Sequence, residues 1–171
     1  MARLGRLSRM TRVGFGYDSH RFAPGRALML GGVSIPHEFG LAGHSDADAV
    51  LHAVIDALLG AAGLGDIGEQ FPDTDAAHAD ADSAQLLART VEMLRQRGLR
   101  PAGADVTILA EAPKLSPHKP AMKARIAFLL GVPEDRVAVK AKTNEGMAFV
   151  GRGEGIAAMA VAVVEDTPQA R

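Results

Sequence analysis

The chain has 171 residues, 47% of them hydrophobic, which suits one ordinary globular domain burying about two-thirds of the surface its unfolded form would expose. With 19 basic against 20 acidic residues the formal net charge is -1, so blanket neutralisation of a nucleic-acid backbone or an anionic membrane is excluded as a binding strategy. Cysteine is absent, so disulfides and thiolate metal sites are excluded too, and any metal must be held by His, Asp and Glu.

Arg3, Arg6, Arg9 and Arg12 recur at threes in the first twelve residues, with no apolar run behind them to act as the centre of a signal peptide. Residues 1–11 are expected to be a disordered extension, with Met10 as an alternative initiator, and 167–171 a tail; one domain is expected over 12–166. Strands are predicted at Arg12 to Asp18 and Ala27 to Val33, the second ending in Gly31-Gly32, and the two are expected to form a hairpin-like pair. Ser45 followed by Asp48 resembles a capping box, and Val50, Leu51, Val54, Ile55, Leu58 and Leu59 recur at helical spacing up to Gly60. The stretch from Leu64 to Asp75 is rich in Gly, Pro and Asp without a period and reads as a loop.

A second helix is predicted from Ser83 to Arg97, with Leu86, Leu87, Val91 and Leu94 inward and Gly98 as its stop. Ala104 to Ala112 is the next strand. Ser116 and Pro117 are expected to cap and open a helix carrying Met122, Ile126, Leu129 and Leu130, closed by Gly131. Strands at Arg136 to Lys142 and Ile156 to Glu165 finish the chain. No stretch is long and apolar enough to span a bilayer: Ala49 to Leu64 is broken by His52 and Asp56, and the last strand is too short. The order implies an α+β fold, a mixed β-sheet with helices packed on one face, whose other face calls for cover by oligomerisation.

Three groups of residues carry chemistry. Asp18 and His20 stand two apart at a strand end, so both side chains point to one face and can share a ligand; the alternative is a turn or capping role. His52 sits at the edge of the first helix's apolar stripe, either as a ligand or as a core histidine bonded to a carbonyl. Together the three match a catalytic zinc with an open fourth position. Asp56, one turn on, could orient a neighbouring ligand or face water. Asp66, Glu69, Asp73 and Asp75 lie among glycine and proline, where carboxylates can bind a polyol or simply stabilise turns. Lys140, Lys142, Thr143, Asn144, Glu145 and the run from Gly151 to Gly155 supply the parts that hold phosphates and a hard divalent cation, unless this is a glycine-rich turn without a ligand.

Taken in order, GFGYDSHRF, LGGVSIPHEFGLAGHSDADAVLHAVIDALLGAAGLGDIGEQFPDTD, AEAPKLSPH and VKAKTNEGMAFVGRGEGIA resemble the 2-C-methyl-D-erythritol 2,4-cyclodiphosphate synthase family of the non-mevalonate isoprenoid pathway, over about Arg12 to Glu165. The resemblance assigns Asp18, His20 and His52 to one zinc ion per subunit. It assigns Glu145 to a magnesium or manganese ion bridging the diphosphate, and makes His44 (paired with Ser45) and Thr143 transition-state stabilisers. Asp66, Ile67 and Gly68 would contact the methylerythritol portion, with Phe71, Asp73 and Asp75 also binding substrate. The stretch Ala110 to Ser116, with Pro113, Lys114 and Leu115, would read cytosine; Lys142, Asn144, Phe149 and Arg152 would also lie on the ligand.

The resemblance further implies a cytoplasmic bacterial enzyme, a homotrimer around a central channel with active sites at subunit interfaces. Its partners would be a small-molecule cytidine diphosphate substrate and an isoprenoid diphosphate in the channel, with no nucleic acid or membrane partner. Lys142 and Asn144 flank Thr143 where a run of threonines can occur in the family, and Ala148 stands where glycine is frequent. Two competing readings are a zinc phosphohydrolase built on the same trio, and a non-catalytic trimer binding an isoprenoid diphosphate through Arg152, Glu154 and Phe149.

Overall fold

A computed structural model of the protein describes residues 10–43, 45–72 and 82–167. In chain order it contains β1 (Thr11–Ala23), β2 (Leu28–Leu30), β3 (Val33–Ile35), β4 (Gly40–Leu41), α1 (Ala49–Ala62) and the single turn α2 (Ile67–Gln70). There follow α3 (Ser83–Gln96), β5 (Leu99–Leu109), α4 (Lys119–Leu130), β6 (Val137–Lys142), the short α5 (Ala148–Gly151) and β7 (Gly155–Asp166). Among the described residues no helix is long and apolar enough to cross a membrane.

One five-stranded sheet runs β4-β1-β7-β5-β6, parallel between β5 and β6 and antiparallel elsewhere, which makes it mixed. The expected pairing of the first two strands is corrected here. β1 pairs with the distant β7, from Thr11 opposite Glu165 to Arg21 opposite Gly155, because only a strand of similar length can satisfy its backbone. The three-residue β2 instead pairs with β3 in a separate hairpin turned by Gly31 and Gly32, both in the left-handed region that glycine alone enters without strain.

Register divides the sheet into two unlike faces. The rows Gly14–Ala162–Ala104–Val137 and Gly16–Ala160–Val106–Val139 lie under the helices and form the core with the apolar face of α1. A Cβ at Gly16 would overlap the carbonyl oxygen of Ala53, and one at Gly14 that of Ala57, so these glycines let α1 lie directly on β1. The alternate residues Val13, Phe15, Tyr17 and Val161 leave the other face open, with Val13 65% and Phe15 62% exposed.

Helix α1 is buried nearly all round: Leu51, Val54, Ile55, Leu58 and Leu59 are fully covered, each contributing about 1.5–3 kcal/mol. His52, Asp56 and Gly60, spaced by four, form its one continuous stripe that is not buried. The helix is capped by Asp48 rather than Ser45. The Asp48 carboxylate accepts from the N–H groups of Val50 (3.1 Å) and Leu51 (3.0 Å) and also of Gly31 (2.8 Å) and Gly32 (2.6 Å), a four-donor task beyond a single hydroxyl. Ser116 likewise makes no side-chain cap; it opens a 3₁₀ turn, Ser116–His118, ahead of α4.

Candidate active site

Asp18 and His20 lie opposite Ala158 and Ile156, on the helix-covered face, as their spacing predicts. The close approach of α1 brings His52 onto the same point. Asp18 Oδ2 is 2.8 Å from His20 Nε2 and 3.0 Å from His52 Nδ1, and the two ring nitrogens are 3.3 Å apart.

Partners outside the cluster decide which nitrogen of each ring carries the proton. His20 Nδ1 lies 2.6 Å from the Ala42 carbonyl oxygen, which can only accept, so Nδ1 donates and Nε2 is bare. His52 Nε2 lies 2.9 Å from Ser83 Oγ, whose own proton is given to Asp46 Oδ1, so Nε2 donates and Nδ1 is bare. Three lone-pair atoms then converge with no proton between them, an arrangement that calls for a cation. Two nitrogens and one carboxylate oxygen, without sulfur, fit zinc with an open coordination position.

Burial disfavours charge on Asp18, yet its close contacts with the His20 and His52 rings outweigh it and hold the carboxyl well below the usual carboxylate range. Burial also disfavours charge on His20, and the Asp18 hydrogen bond overrides it, raising the imidazole above its ordinary value.

The cluster opens into a cleft of about 250 Å³. Ser45 and Gly43 line one side, and Asp56, Ile67, Gly68 and Phe71 another. Asp56 holds that second side in place: its Oδ1 accepts the Ile67 N–H at 2.8 Å. Burial pushes the Asp56 carboxyl up, and nearby Asp66 and Asp18 add to this against the Ile67 bond. Asp66 caps α2, accepting from Glu69 N at 2.9 Å. Phe149 lines an adjoining depression of about 590 Å³ that shares His20 and is also bounded by Arg21 and Glu154. Arg152, exposed, donates to Glu154 at 2.6 Å.

The remaining predicted site residues gather at the ends of β5 and β6 and do not line that cleft. Ala110 N donates to the Lys142 carbonyl (2.9 Å), and Glu111 Oε1 accepts from the N–H groups of Asn144 (2.8 Å) and Gly146 (3.4 Å). The stretch from Ala110 through Pro113, Lys114 and buried Leu115 is thereby tied to the loop carrying Thr143 and Glu145. Thr143 Oγ1 donates to Glu145 Oε1 at 3.0 Å, and Glu145 sits at φ 51°, in the left-handed region. His44, Asp73 and Asp75 lie outside the described residues.

Four contributors escape sequence reasoning: Glu111, Ser83, Asp46 and Arg26. Arg26 donates to the carbonyls of Gly43 (2.6 Å) and Ser45, gripping the cleft wall. The Ser45-Asp46-Ala47-Asp48 run reads as capping chemistry, and no spacing rule links Asp46 or His52 to a serine more than thirty residues away.

Fold and site together define a mixed-sheet α+β protein with an Asp–His–His group that could hold a cation near the end of its first strand. The chain belongs to the YgbB family, which matches residues 11–165. A 2-C-methyl-D-erythritol 2,4-cyclodiphosphate synthase of Symbiobacterium thermophilum is 60% identical over 152 residues, 89% of this chain and 97% of the relative. A solved 2C-methyl-D-erythritol-2,4-cyclodiphosphate synthase in its CDP-bound form superposes with a TM-score of 0.83 at 40% identity, over 90% of this chain and 99% of that one. The bifunctional IspDF of Campylobacter jejuni matches with a TM-score of 0.91 at 41% identity, over 96% of this chain and 44% of the longer one.

Proposed function

We propose that residues 12–166 form one cytoplasmic catalytic domain that converts 4-diphosphocytidyl-2-C-methyl-D-erythritol 2-phosphate to 2-C-methyl-D-erythritol 2,4-cyclodiphosphate and CMP. The observation that carries this reading is the Asp18–His20–His52 cluster opening into a cleft, in a chain 60% identical to a synthase of that name. An oxygen of the 2-phosphate bonds to the β-phosphorus, the bond from that phosphorus to the oxygen bridging to CMP breaks, and CMP departs with the electron pair. No water is consumed. The nucleophile is already anionic, so the chain's task is to fold the substrate into attack geometry and meet its charge with fixed donors.

Asp18, His20 and His52 would hold zinc and Glu145 a magnesium or manganese ion, which supply Lewis-acid neutralisation of the diphosphate. Ser45, with His44, holds the attacking phosphate. The Asp66–Gly68 backbone, steadied by Asp56, receives the methylerythritol hydroxyls, and Phe71, Asp73 and Asp75 also bind the substrate. Ala110 to Leu115 reads the cytosine, Lys114, Lys142 and Asn144 face the nucleotide phosphates, and the Thr143 hydroxyl meets charge developing on the diphosphate.

A homotrimer completes the site. The ends of β1 and of β5 and β6 lie at one end of the sheet, yet β1 and β6 stand three strand spacings apart, about 14 Å at roughly 4.8 Å each. A second copy that sets its β5–β6 end against the first copy's cleft unites cation centre and phosphate loop. The open face with Val13, Phe15 and Val161 supports such packing. Phe149 and Arg152 face the central channel, and an isoprenoid diphosphate there would draw Arg152 away from Glu154.

Phosphorus NMR of the protein with substrate and magnesium, with and without a zinc chelator, tests the reading. Cyclic diphosphate plus CMP, lost on chelation, is the expected result; a linear hydrolysis product or no turnover overturns it.

A further inference from the structure

We infer that Ser83 and Asp46 form a positioning relay for His52: Asp46 holds the Ser83 hydroxyl, and Ser83 holds the His52 ring with Nδ1 aimed at the cation centre. The inference rests on the reading that Asp18, His20 and His52 hold zinc.

Ser83 opens α3, 31 residues beyond His52, and is fully buried. A serine there could cap its own helix, but Asp82 does so, accepting from Ala84 N at 2.8 Å, which leaves the Ser83 hydroxyl available for a tertiary contact. Its oxygen stands 2.9 Å from His52 Nε2 and its proton goes to Asp46 Oδ1. Asp46 is itself anchored, its Oδ2 accepting from Ser83 N and its Oδ1 from Asp48 N, both at 3.3 Å. Ser45 Oγ also approaches Nε2, at 3.3 Å, but it already accepts from Ala47 N and is the weaker partner by distance.

A carboxylate–hydroxyl–imidazole chain does two things to a metal ligand. It places the ring proton on Nε2, leaving the Nδ1 lone pair free, and it fixes the ring in the orientation that aims that lone pair at the cation centre. Without the Ser83 oxygen, Nε2 loses its short acceptor, the two neutral tautomers become comparable, and a fraction of the rings presents N–H to the cation.

The test measures zinc affinity of the full chain by competition with a chromophoric chelator, and the visible spectrum of the cobalt-substituted protein. Ser83→Ala is expected to weaken zinc by about 10- to 100-fold and to shift the cobalt bands. Ser83→Thr, which keeps the hydroxyl, should return both towards the parent. Asp46→Asn, which still accepts from Ser83 but carries no charge, should weaken zinc by a smaller factor. A role confined to folding would move the melting temperature of the metal-free protein without a cobalt shift or rescue by threonine. Zinc affinity within about twofold of the parent and an unchanged cobalt spectrum in Ser83→Ala overturn the relay; should that variant not fold, the same result in Asp46→Asn does so. A parent chain that binds no zinc overturns the metal reading and the relay together.

Discussion

His52 lies on the one stripe of α1 outside the apolar core, and its ring contacts the polar cluster and Ser83 rather than core side chains. His52→Ala is therefore expected to abolish zinc binding, measured by metal analysis, while circular dichroism stays that of the parent. The same cluster sets a pH dependence whose sign differs with and without metal. In the metal-free protein the His20 pKa is raised, so its contribution to stability is complete below its ordinary value of 6.5 and is lost as pH rises through the folded value. The Asp18 pKa is lowered, so its contribution is complete above 3.8 and is lost as pH falls through the folded value. The pair supports the fold most between these limits, which melting temperatures of chelated protein against pH should show. Zinc reverses the trend on the alkaline side: metal and proton compete for His20 Nε2, so zinc affinity falls as pH drops through the raised His20 value, and calorimetry in buffers of different ionisation enthalpy should detect proton release. In the proposed site Thr143, whose hydroxyl rests on Glu145, belongs to the phosphate side; Thr143→Val should slow turnover on the order of 10- to 100-fold with KM little changed. The convergence of Asp18 and His20 was legible because strand period alone puts them on one face. Ser83 was not, because its role exists only once α3 is laid against α1.

At the scale of elements, the helices α1 and α3 follow from apolar spacing, and Leu86, Leu87, Val91 and Leu94 are all buried as that spacing requires. Strand pairing did not follow, because a partner for β1 lies at the far end of the chain and local sequence prefers the nearest candidate. The loop from Leu64 to Asp75 hid α2, a single turn held by its Asp66 cap rather than by any apolar period. Two glycine exchanges probe how elements bear on the site. Gly16→Ala would drive a methyl into the backbone of α1 at Ala53 and Ala57, atoms that cannot rotate away, and should cost at least about 3 kcal/mol in denaturant unfolding. Whatever fraction folds should also bind zinc less tightly, since α1 carries His52. Ala148 presents the opposite case: it is exposed and sits at φ 57°, where a Cβ costs about 1–2 kcal/mol, more than the entropy a glycine adds to the unfolded chain. Ala148→Gly should stabilise by about 0.5–1 kcal/mol, raising the melting temperature by about 1–4 °C.

For the whole molecule, the decisive surface is the open face of the sheet. Phe15 and Val161 stand directly opposite each other on β1 and β7, both exposed, with Val13 and Tyr17 on either side. In a lone chain an opposite-charge pair at these two positions is tolerated, because cross-strand Lys and Glu attract each other in water. In the proposed trimer the same pair would have to be stripped of water against a neighbouring copy, which costs several kcal/mol for each charge left without new partners. Phe15→Lys combined with Val161→Glu should therefore yield a folded monomer by sedimentation velocity. Because Asp18, His20 and His52 belong to one chain, that monomer should keep its zinc affinity. Because the loop with Thr143 and Glu145 stands away from the cleft of its own chain, it should lose turnover. A monomer that retains both zinc and full turnover would show that one copy completes its own site and would overturn the shared-site trimer.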